Sequence, residues 1–563
     1  MLETKILSSL GKVFPKEIKG EEINELSAFS DEPVSFQIAF RTTGNLFRHV
    51  YLEIETDIEN WEEYLVGFVP VIEAKREKND EYFDSKEPGL YPDTLHKRKI
   101  KQDIVTVSYP WQDLKFEENQ TYPLDASRSW QSVWFTIGGK NNPLSKGVYN
   151  FTVNFRLADD SRILAKCPVT IDINGQFLGK QKLIYTAWFH YDCLADIYGE
   201  EIFSKRHLEI TERFIKAAAE TGMNMLLLPA FTPALDTPIG RERRTTQLVG
   251  VEKNGDKYTF DFSLFEEFIK MCQKNGIEYF EHSHFFTQWG AEFAPKVMAK
   301  ADGEYKRIFG WDTKATGEEY SSFLVQYIEA LKQVIEKLNI EDKIYFHTSD
   351  EPAMAHLETY KASSAVVHPL LKGYKFFDAL SHYDVYEKTD VDVPVVAESS
   401  EDIQKFLDNV EDLWIYYTGE QVTDGLSNRL ISNTSIRNRL IGVKMYKDKI
   451  KGFLNWGYNN YYDIQSQGVF DPRNNPCNFA NTPGSSFVVY PNCDGTPLIS
   501  LRMKVFYEGI NDYEALMRFE EIKGREKALE LIDKHFGEMS LNYCTFDEKI
   551  LLNFRKELNS LLK

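Results

Sequence analysis

The sequence contains few cysteines and no long apolar run. Its six cysteines are scattered over 563 residues without the C-x-x-C spacing that zinc and redox sites use. No apolar run approaches the roughly 20 residues that span a bilayer. The first residues show neither a continuous apolar segment nor a small-residue cleavage site. We therefore expect a soluble protein that is cytoplasmic and does not insert into membranes.

Basic residues are outnumbered by acidic ones, and the formal net charge at pH 7 is -20. Phosphate backbones and anionic membranes both attract proteins that carry a basic footprint. No basic stripe is present in the sequence. The charge therefore argues against nucleic acid as a partner, and it leaves the oligomeric state open.

Several catalytic motifs are missing as well. No strand-to-helix turn carries G-x-G-x-x-G or G-x-x-x-x-G-K-[ST], the glycine-rich sequences that bind nucleotide phosphates. The H-E-x-x-H motif of zinc proteases and the G-x-S-x-G motif of α/β-hydrolases do not occur. A metal site could be imagined from His190, His282, His284 and Asp350, but residues 282 and 284 face the same side of a strand with no further clustered ligand. We therefore predict neither a cofactor nor a metal.

Short β-strand patterns fill residues 1–178. Alternating or β-branched runs such as VSFQIAFRTTG (34–44) and SVWFTIGG (132–139) are bounded by turn residues, and helical periodicity is absent. This pattern predicts an all-β domain, a β-sandwich, over 1–178. Residues 57–128 are polar and aromatic with looser spacing, and we expect long loops there that reach toward the neighbouring domain.

From residue 179 onward, strands alternate with amphipathic helices. The strand patterns are LIYTAWF (183–189), NMLLLP (224–229), IEYFEHS (277–283), IYFHTS (344–349), YKFFDAL (374–380), PVVAE (394–398), DLWIYYT (412–418) and GFLNWGY (452–458). Apolar strands between helices indicate parallel pairing that is buried on both faces. Eight units favour a closed (β/α)8 TIM-like barrel with C-terminal helices over 179–563. The fold class is then α/β plus all-β, and the alternative is an open doubly wound sheet.

Two long segments interrupt this alternation. Residues 229–261 contain Asn254-Gly255, a two-residue hairpin signal. Residues 457–497 are rich in Asn, Gly, Pro and Tyr and have little helical character. Because specificity is usually built into the long loops that follow barrel strands, we expect both segments to contribute to binding.

The fourth predicted strand ends in two adjacent acids. The run KIYFHTSDEP (343–352) passes from β-branched and aromatic residues into Asp350 and Glu351, and Pro352 disfavours further strand pairing. In a parallel barrel, chemistry is carried at the C-terminal ends of the strands. The alternative interpretation is structural: Asp350 caps the following helix and Glu351 lies in its first turn.

Carboxylates beside aromatic strand ends suit glycoside cleavage, in which one acid protonates the leaving oxygen and another stabilises the positive centre. Alternate strand residues point to opposite faces, so Asp350 and Glu351 share a site only if the backbone leaves strand geometry there. Ordinary retaining enzymes hold their two carboxyls about 5–5.5 Å apart, usually on different strands. Sequence neighbours better suit a mechanism in which the substrate supplies its own nucleophile.

The chain resembles glycoside hydrolase family 123, the β-N-acetylgalactosaminidase family, in three segments: HTSDEP (347–352), NWGYN (455–459) and YPNCDGTPLISLRMKVFYEGINDYE (490–514). The resemblance spans most of the barrel and, more weakly, the sandwich. It implies a β-sandwich followed by a (β/α)8 barrel. It also implies exo-acting removal of terminal β-linked N-acetylgalactosamine from glycans, including those of glycosphingolipids, with retention through an oxazolinium intermediate. By this resemblance, Asp350 orients and stabilises the 2-acetamido group, while Glu351 protonates the leaving oxygen and then takes a proton from water.

Further strand-end residues are candidates for binding the sugar. Trp456 is the first choice for the floor beneath the ring, with core packing as the alternative. Since Tyr416 and Tyr417 alternate in direction, only one of them would reach the pocket and bind the acetamido oxygen. The other candidates are His284 and Asn455 for sugar hydroxyls, and His190 and Trp188, for which packing is equally compatible.

Two other functions are compatible with these residues. One is an exo-β-N-acetylhexosaminidase that prefers another epimer, such as glucosamine, because a few pocket contacts choose the epimer. The other is a non-catalytic carbohydrate-binding protein that keeps the pocket. The presence of both Asp350 and Glu351 argues against this second function.

Overall fold

The computed structural model describes residues 2–43, 48–73, 84–85, 87–98, 104–107, 129–157, 161–419, 421, 425–477 and 482–563. Over the N-terminal ranges it contains two five-stranded sheets. The first sheet has the spatial order Leu2–Ser8, Pro33–Thr42, Gln131–Gly138, Trp61–Val71 and Gly89–Lys97. The second has the order Glu25–Ala28, Ile163–Ile173, Gly147–Leu157, Arg48–Thr56 and Ile104–Val107. A short hairpin, Lys12–Val13 with Ile18–Lys19, is added to them.

The two sheets enclose a shared apolar core. Phe36 and Phe135 of the first sheet stack with ring centroids 5.3 Å apart, and both contact Phe151 of the second sheet edge-on, at 5.7 and 5.5 Å. Inward-facing residues alternate with outward-facing ones along each strand, as in a β-sandwich. The N-terminal all-β region that the sequence predicts is therefore confirmed.

The prediction of long loops over residues 57–128 is wrong for part of that segment. Strands Trp61–Val71 and Gly89–Lys97 pair antiparallel there, while residues 74–83, 86, 99–103 and 108–128 lie outside the described residues. Two features hid the strands: the register shifts at Gly67/Phe68, and Pro92 lies in an edge strand, the position where a sheet tolerates proline.

Eight parallel strands form a closed barrel, which confirms the predicted fold class. They are Ile184–Ala187, Met225–Leu228, Tyr279–His282, Ile344–Phe346, Lys375–Ala379, Val393–Ala397, Trp414–Tyr416 and Gly452–Asn455, here called barrel strands one to eight. Each lies within one residue of a predicted strand run. Strand one pairs with strand eight from Ile184↔Gly452 to Ala187↔Asn455, which closes the barrel and removes the open sheet as an alternative.

Helices follow the barrel strands and extend the chain to its C-terminus. In the described residues they are Tyr191–Tyr198, Lys205–Glu220, Ser263–Lys274, Glu318–Leu338, Leu357–Val367, Tyr383–Tyr386, Ile403–Asn409, Ser435–Arg439, Ile441–Lys447, Leu501–Lys523, Arg525–Phe536 and Glu548–Leu561, with 3-10 turns at Met354–His356 and Ile464–Ser466. None of the helices in these ranges has both the length and the apolar character that crossing a membrane requires. All six cysteines are free.

The two interrupting segments form small sheets and irregular loops. Hairpin Gly250–Asn254 with Lys257–Asp261 joins hairpin Val297–Ala301 with Glu304–Phe309 in a four-stranded sheet. The first turn is centred on Gly255-Asp256, one residue later than the sequence signal. The later segment contains one short pair, Val489–Pro491 with Pro497–Ile499.

Buried ion pairs join the sandwich to the helices that follow the barrel. Arg555 in the last helix donates to both carboxylate oxygens of Glu32, at 2.8 and 2.7 Å, and to Asp512, at 2.8 Å. Arg439 donates to the same Asp512 at 2.8 and 2.9 Å. One carboxylate of the long helix Leu501–Lys523 is therefore shared by arginines from two other helices. The division of the chain at residue 178 stays a prediction.

Candidate active site

A cavity of about 310 Å³ opens at the C-terminal end of the barrel strands. Six of the residues that the sequence singles out line it: Trp188, His190, Asp350, Glu351, Tyr416 and Trp456. They come from the ends of barrel strands one, four, seven and eight. These strands meet at one rim because they are parallel and closed into a barrel, so side chains far apart in sequence converge.

Sequence reasoning did not single out the other residues that line the cavity: Leu235, Asp236, Gln288, Trp289, Ala379, Thr418, Gly419, Leu454, Thr482 and Ser485. Most belong to loops. Asp236 lies in the segment 229–261, and Thr482 and Ser485 lie in 457–497. The sequence indicated that the two long segments contribute to binding, but no pattern in it identified which of their residues line the cavity.

Asp350 and Glu351 both line the cavity although they are adjacent in sequence. Glu351 has φ +47°, in the left-handed region that a non-glycine residue rarely adopts. Its backbone N–H donates to Ala379 O at 3.1 Å, and the N–H of Trp289 donates to Asp350 O at 3.0 Å. Hydrogen bonds to neighbouring segments thus hold a backbone turn that places both residues on the cavity side of the strand end.

Burial raises the pKa of Asp350 well above its usual value, and the neighbouring Glu351 carboxylate raises it further. The positive charge of His347 opposes this shift. Asp350 therefore keeps a proton to a higher pH than an exposed aspartate does. A ligand N–H that donates to this carboxyl would favour its ionised form.

Tyr416 and Tyr417 lie on opposite sides of barrel strand seven. Tyr416 packs with the side chains inside the barrel, and its hydroxyl donates to Glu351 Oε1 at 2.7 Å. Tyr417 packs between strands and helices, and its hydroxyl has no hydrogen-bond partner in the described part of the chain. The structure thus brings Tyr416, and not Tyr417, to the cavity.

Three indole rings line the cavity, those of Trp188, Trp289 and Trp456. The ring of Trp188 is 4% exposed, and its Nε1 donates to the buried carboxylate of Glu281 at 2.9 Å. Trp456 is partly exposed and packs against the barrel interior. The Trp188 ring is therefore fixed by a charge-assisted hydrogen bond, and Trp456 lines the cavity from the barrel interior.

His190 is fixed beside Trp456 by two hydrogen bonds. Arg243 Nη2 donates to His190 Nδ1 at 3.1 Å, so the ring proton lies on Nε2 and is donated to the carbonyl oxygen of Trp456 at 3.0 Å. Burial, and then the charge of Arg243, lower the pKa of His190 to about 4. The imidazole is therefore neutral and holds the backbone of Trp456.

A possible metal-ligand group in the described residues is formed by His190, Asp192 and Cys193, whose donor atoms lie within 4.8 Å of one another. The guanidinium of Arg243 binds Asp192 with two hydrogen bonds of 2.7 Å and also contacts the His190 ring. Two of the three potential ligands are thus engaged by an arginine.

His284 and Asn455 are placed beneath the cavity rather than along it. His284 stacks on the His347 ring at 4.1 Å and contacts Trp188 edge-on at 5.4 Å. The Asn455 amide donates to Tyr417 O at 2.9 Å and accepts from Gly457 N at 3.0 Å. Both side chains act on the backbone or on rings that border the cavity.

Comparison with known proteins adds a family match. The family model described as "Glycoside hydrolase 123, catalytic domain" matches residues 188–518. A solved structure of a family 123 glycoside hydrolase from Clostridium perfringens, described in terms of glycolipid glycan hydrolysis, aligns with 14% identity and a TM-score of 0.71, and the alignment covers 100% of this chain and 98% of that one. Bacteroides thetaiotamicron EndoBT-3987 aligns with 7% identity, covering 84% of this chain and 96% of that one, at a TM-score of 0.22. Among curated proteins, none matches the chain.

Proposed function

The chain belongs to glycoside hydrolase family 123, and from this membership we propose that it removes terminal β-linked N-acetylgalactosamine from the ends of glycans. The observation that carries the proposal is the pair Asp350 and Glu351, which line one cavity through the left-handed backbone at Glu351. Ordinary retaining enzymes hold an attacking carboxyl and a protonating one about 5–5.5 Å apart, whereas neighbours in sequence better suit a mechanism in which neither carboxyl attacks the anomeric carbon. The 2-acetamido group of the substrate is then the nucleophile.

In the first step of the proposed reaction, the acetamido carbonyl oxygen forms a bond to C1 while the glycosidic bond breaks. Glu351 gives its proton to the leaving oxygen. Asp350 accepts the amide N–H and stabilises the positive charge of the oxazolinium ring. In the second step, water attacks C1 and gives a proton to Glu351, the ring opens, and the β configuration is retained.

The cavity supports a sugar-sized ligand with an exposed leaving group. Its volume of about 310 Å³ is at the lower end for small-molecule sites, and Trp188 and Trp456 supply apolar faces. Trp289, 48% exposed, stands at the rim. A glycan end enters such a cavity while the rest of the chain stays outside. The relative from Clostridium perfringens is described by its hydrolysis of glycolipid glycans, and we extend this substrate class to the present chain.

Aryl glycosides test the proposed function. We expect the 4-nitrophenyl N-acetyl-β-galactosaminide to be hydrolysed with a kcat/KM at least about tenfold above that of the glucosaminide, since one misplaced hydroxyl leaves a buried polar group unpaired. Proton NMR during hydrolysis should show the β-anomer of the free sugar first. Equal or faster glucosaminide turnover would contradict the proposed preference for galactosamine. Sugar binding without turnover would indicate a carbohydrate-binding protein instead of an enzyme.

Tyr416→Phe tests the role of the hydroxyl that contacts Glu351. Glu351 becomes a charged carboxylate as it gives up its proton, and a hydrogen bond to a charged group contributes about 1.5–3 kcal/mol, so we expect kcat to fall about 10- to 100-fold. The matched control is Tyr417→Phe, which removes a hydroxyl that has no partner among the described residues. The proposal requires the two variants to differ. Equal effects in steady-state kinetics would contradict a catalytic role for the Tyr416 hydroxyl.

A further inference from the structure

A buried row of three charged side chains lies beneath the candidate active site. His347 follows barrel strand four, and its ring lies between Glu281 of strand three and Asp378 of strand five. Nε2 is 3.1 Å from Glu281 Oε2, and Nδ1 is 3.2 Å from Asp378 Oδ1. All three side chains are at most 1% exposed. Charged groups in the interior of a parallel barrel are costly, so their presence there calls for a role.

The other partners of the two carboxylates are donors. Glu281 accepts from the Thr186 hydroxyl and from Trp188 Nε1. Asp378 accepts from the Tyr360 hydroxyl at 2.5 Å.

Asp378 also accepts from the backbone N–H groups of Thr348, at 3.1 Å, and Ser349, at 3.4 Å. Carboxylates surrounded by donors are ionised acceptors, so both nitrogens of His347 must donate, which only the imidazolium can do.

The row of charged side chains is linked to the cavity in two ways. Through Glu281 it holds the indole of Trp188, a wall of the cavity. Through Asp378 it holds the backbone of residues 348 and 349, which lead directly into Asp350. We propose that His347 is a positioning residue for the reaction: held as an imidazolium between Glu281 and Asp378, it fixes the Trp188 wall and the strand end that presents Asp350, and its positive charge favours the ionised form of Asp350. This inference rests on the proposed function.

The charged and titratable groups around His347 fit this role. They are Glu281 and His282 on strand three, His284 after it, Asp350 on its own strand end, and Asp378 on strand five, with Tyr360 behind Asp378. Burial alone would lower the pKa of His347, but the hydrogen bonds to Asp378 and Glu281 outweigh it and raise the pKa to about 9. The cation is therefore present throughout the neutral range.

The sign of the expected pH effect follows from the charge. The His347 cation lowers the pKa of Asp350, and the proposed reaction needs Asp350 ionised to accept the amide N–H. Removing the cation raises that pKa. The acid limb of the pH profile of kcat/KM, which is its rise at low pH, therefore moves to higher pH. For His347→Gln we expect a shift of about one pH unit and a loss in kcat/KM of about 10- to 100-fold. A residue that only supported the fold would lower activity without moving the limb.

The matched control is His282→Gln. His282 is buried at the end of the neighbouring strand, but its ring contacts Ser283 O and the Tyr327 hydroxyl, on the helix side of the strand. The acid limb of the His282→Gln variant should lie at the same pH as that of the unchanged protein. A folded His347→Gln variant with an unmoved limb would overturn the inference.

Spectroscopy of the unchanged protein tests the protonation state even if that variant does not fold. With ¹⁵N-labelled histidine, we expect an imidazolium signal, with both ring nitrogens protonated, to persist at pH 8. The absence of any such signal overturns the inference without reference to activity. If instead the unchanged protein shows the imidazolium and does not hydrolyse the galactosaminide, the proposed function fails and the charge state of His347 stands.

Discussion

Glu351→Gln is expected to lower kcat/KM about 10²- to 10⁴-fold, the range that general acid catalysis contributes, for substrates with poor leaving groups. A sugar alkoxide needs a proton as the glycosidic bond breaks, and glutamine has none to give. A dinitrophenyl leaving group departs as a stable anion, so its kcat/KM should fall far less. Steady-state kinetics with a series of aryl glycosides and one disaccharide measures this dependence.

The control for this prediction is Glu358→Gln. Glu358 is exposed in the first turn of the helix Leu357–Val367 and is not among the described residues that line the cavity. We expect this variant to match the unchanged protein on every substrate. Equal losses across the leaving-group series in Glu351→Gln would show that this glutamate is not the proton donor.

Asp350→Asn should lower kcat/KM on good and poor leaving groups alike. An oxazolinium ring develops whichever group departs, and the amide that replaces Asp350 no longer compensates its positive charge. Removing one preorganised electrostatic partner typically lowers the rate about 10²- to 10³-fold. A thiazoline mimic of the ring, expected to inhibit the unchanged protein, should also bind the variant more weakly, which calorimetry measures.

Asp384→Asn is the matched control, because Asp384 is exposed in a short helix after barrel strand five. Unchanged thiazoline affinity in Asp350→Asn would contradict the role given to Asp350. Failure of the thiazoline to inhibit even the unchanged protein would argue against participation of the acetamido group.

The barrel could be predicted from the sequence because its strands are short, apolar and spaced by helices. Each of the eight strand runs forms a barrel strand. The run ending in Asp350 and Glu351 was visible as a strand stopped by acids and Pro352. The left-handed backbone at Glu351, which brings the two side chains to one side, depends on contacts with Trp289 and Ala379 that no local pattern carries.

Other features of the site depended on which side of a strand faces inward. Sequence alternation showed that Tyr416 and Tyr417 point in opposite directions, but only the closed barrel determines that Tyr416 faces the interior. Glu281 and Asp378 were overlooked, although a charged residue within an apolar strand run is itself a signal. Their shared partner, His347, is adjacent to them only in space.

The carboxylate of Asp512, shared between Arg439 and Arg555, has a consequence for how the chain can be divided. Arg555 reaches past it to Glu32 in the sandwich, so a fragment cut free of the sandwich would lose one of the two carboxylates that this guanidinium binds. Losing one partner of such a pair typically costs about 3–5 kcal/mol, a large share of what keeps a domain folded. The sandwich and barrel should therefore melt as one cooperative unit, and expression of the hydrolase without its first strands should give aggregates rather than a smaller enzyme.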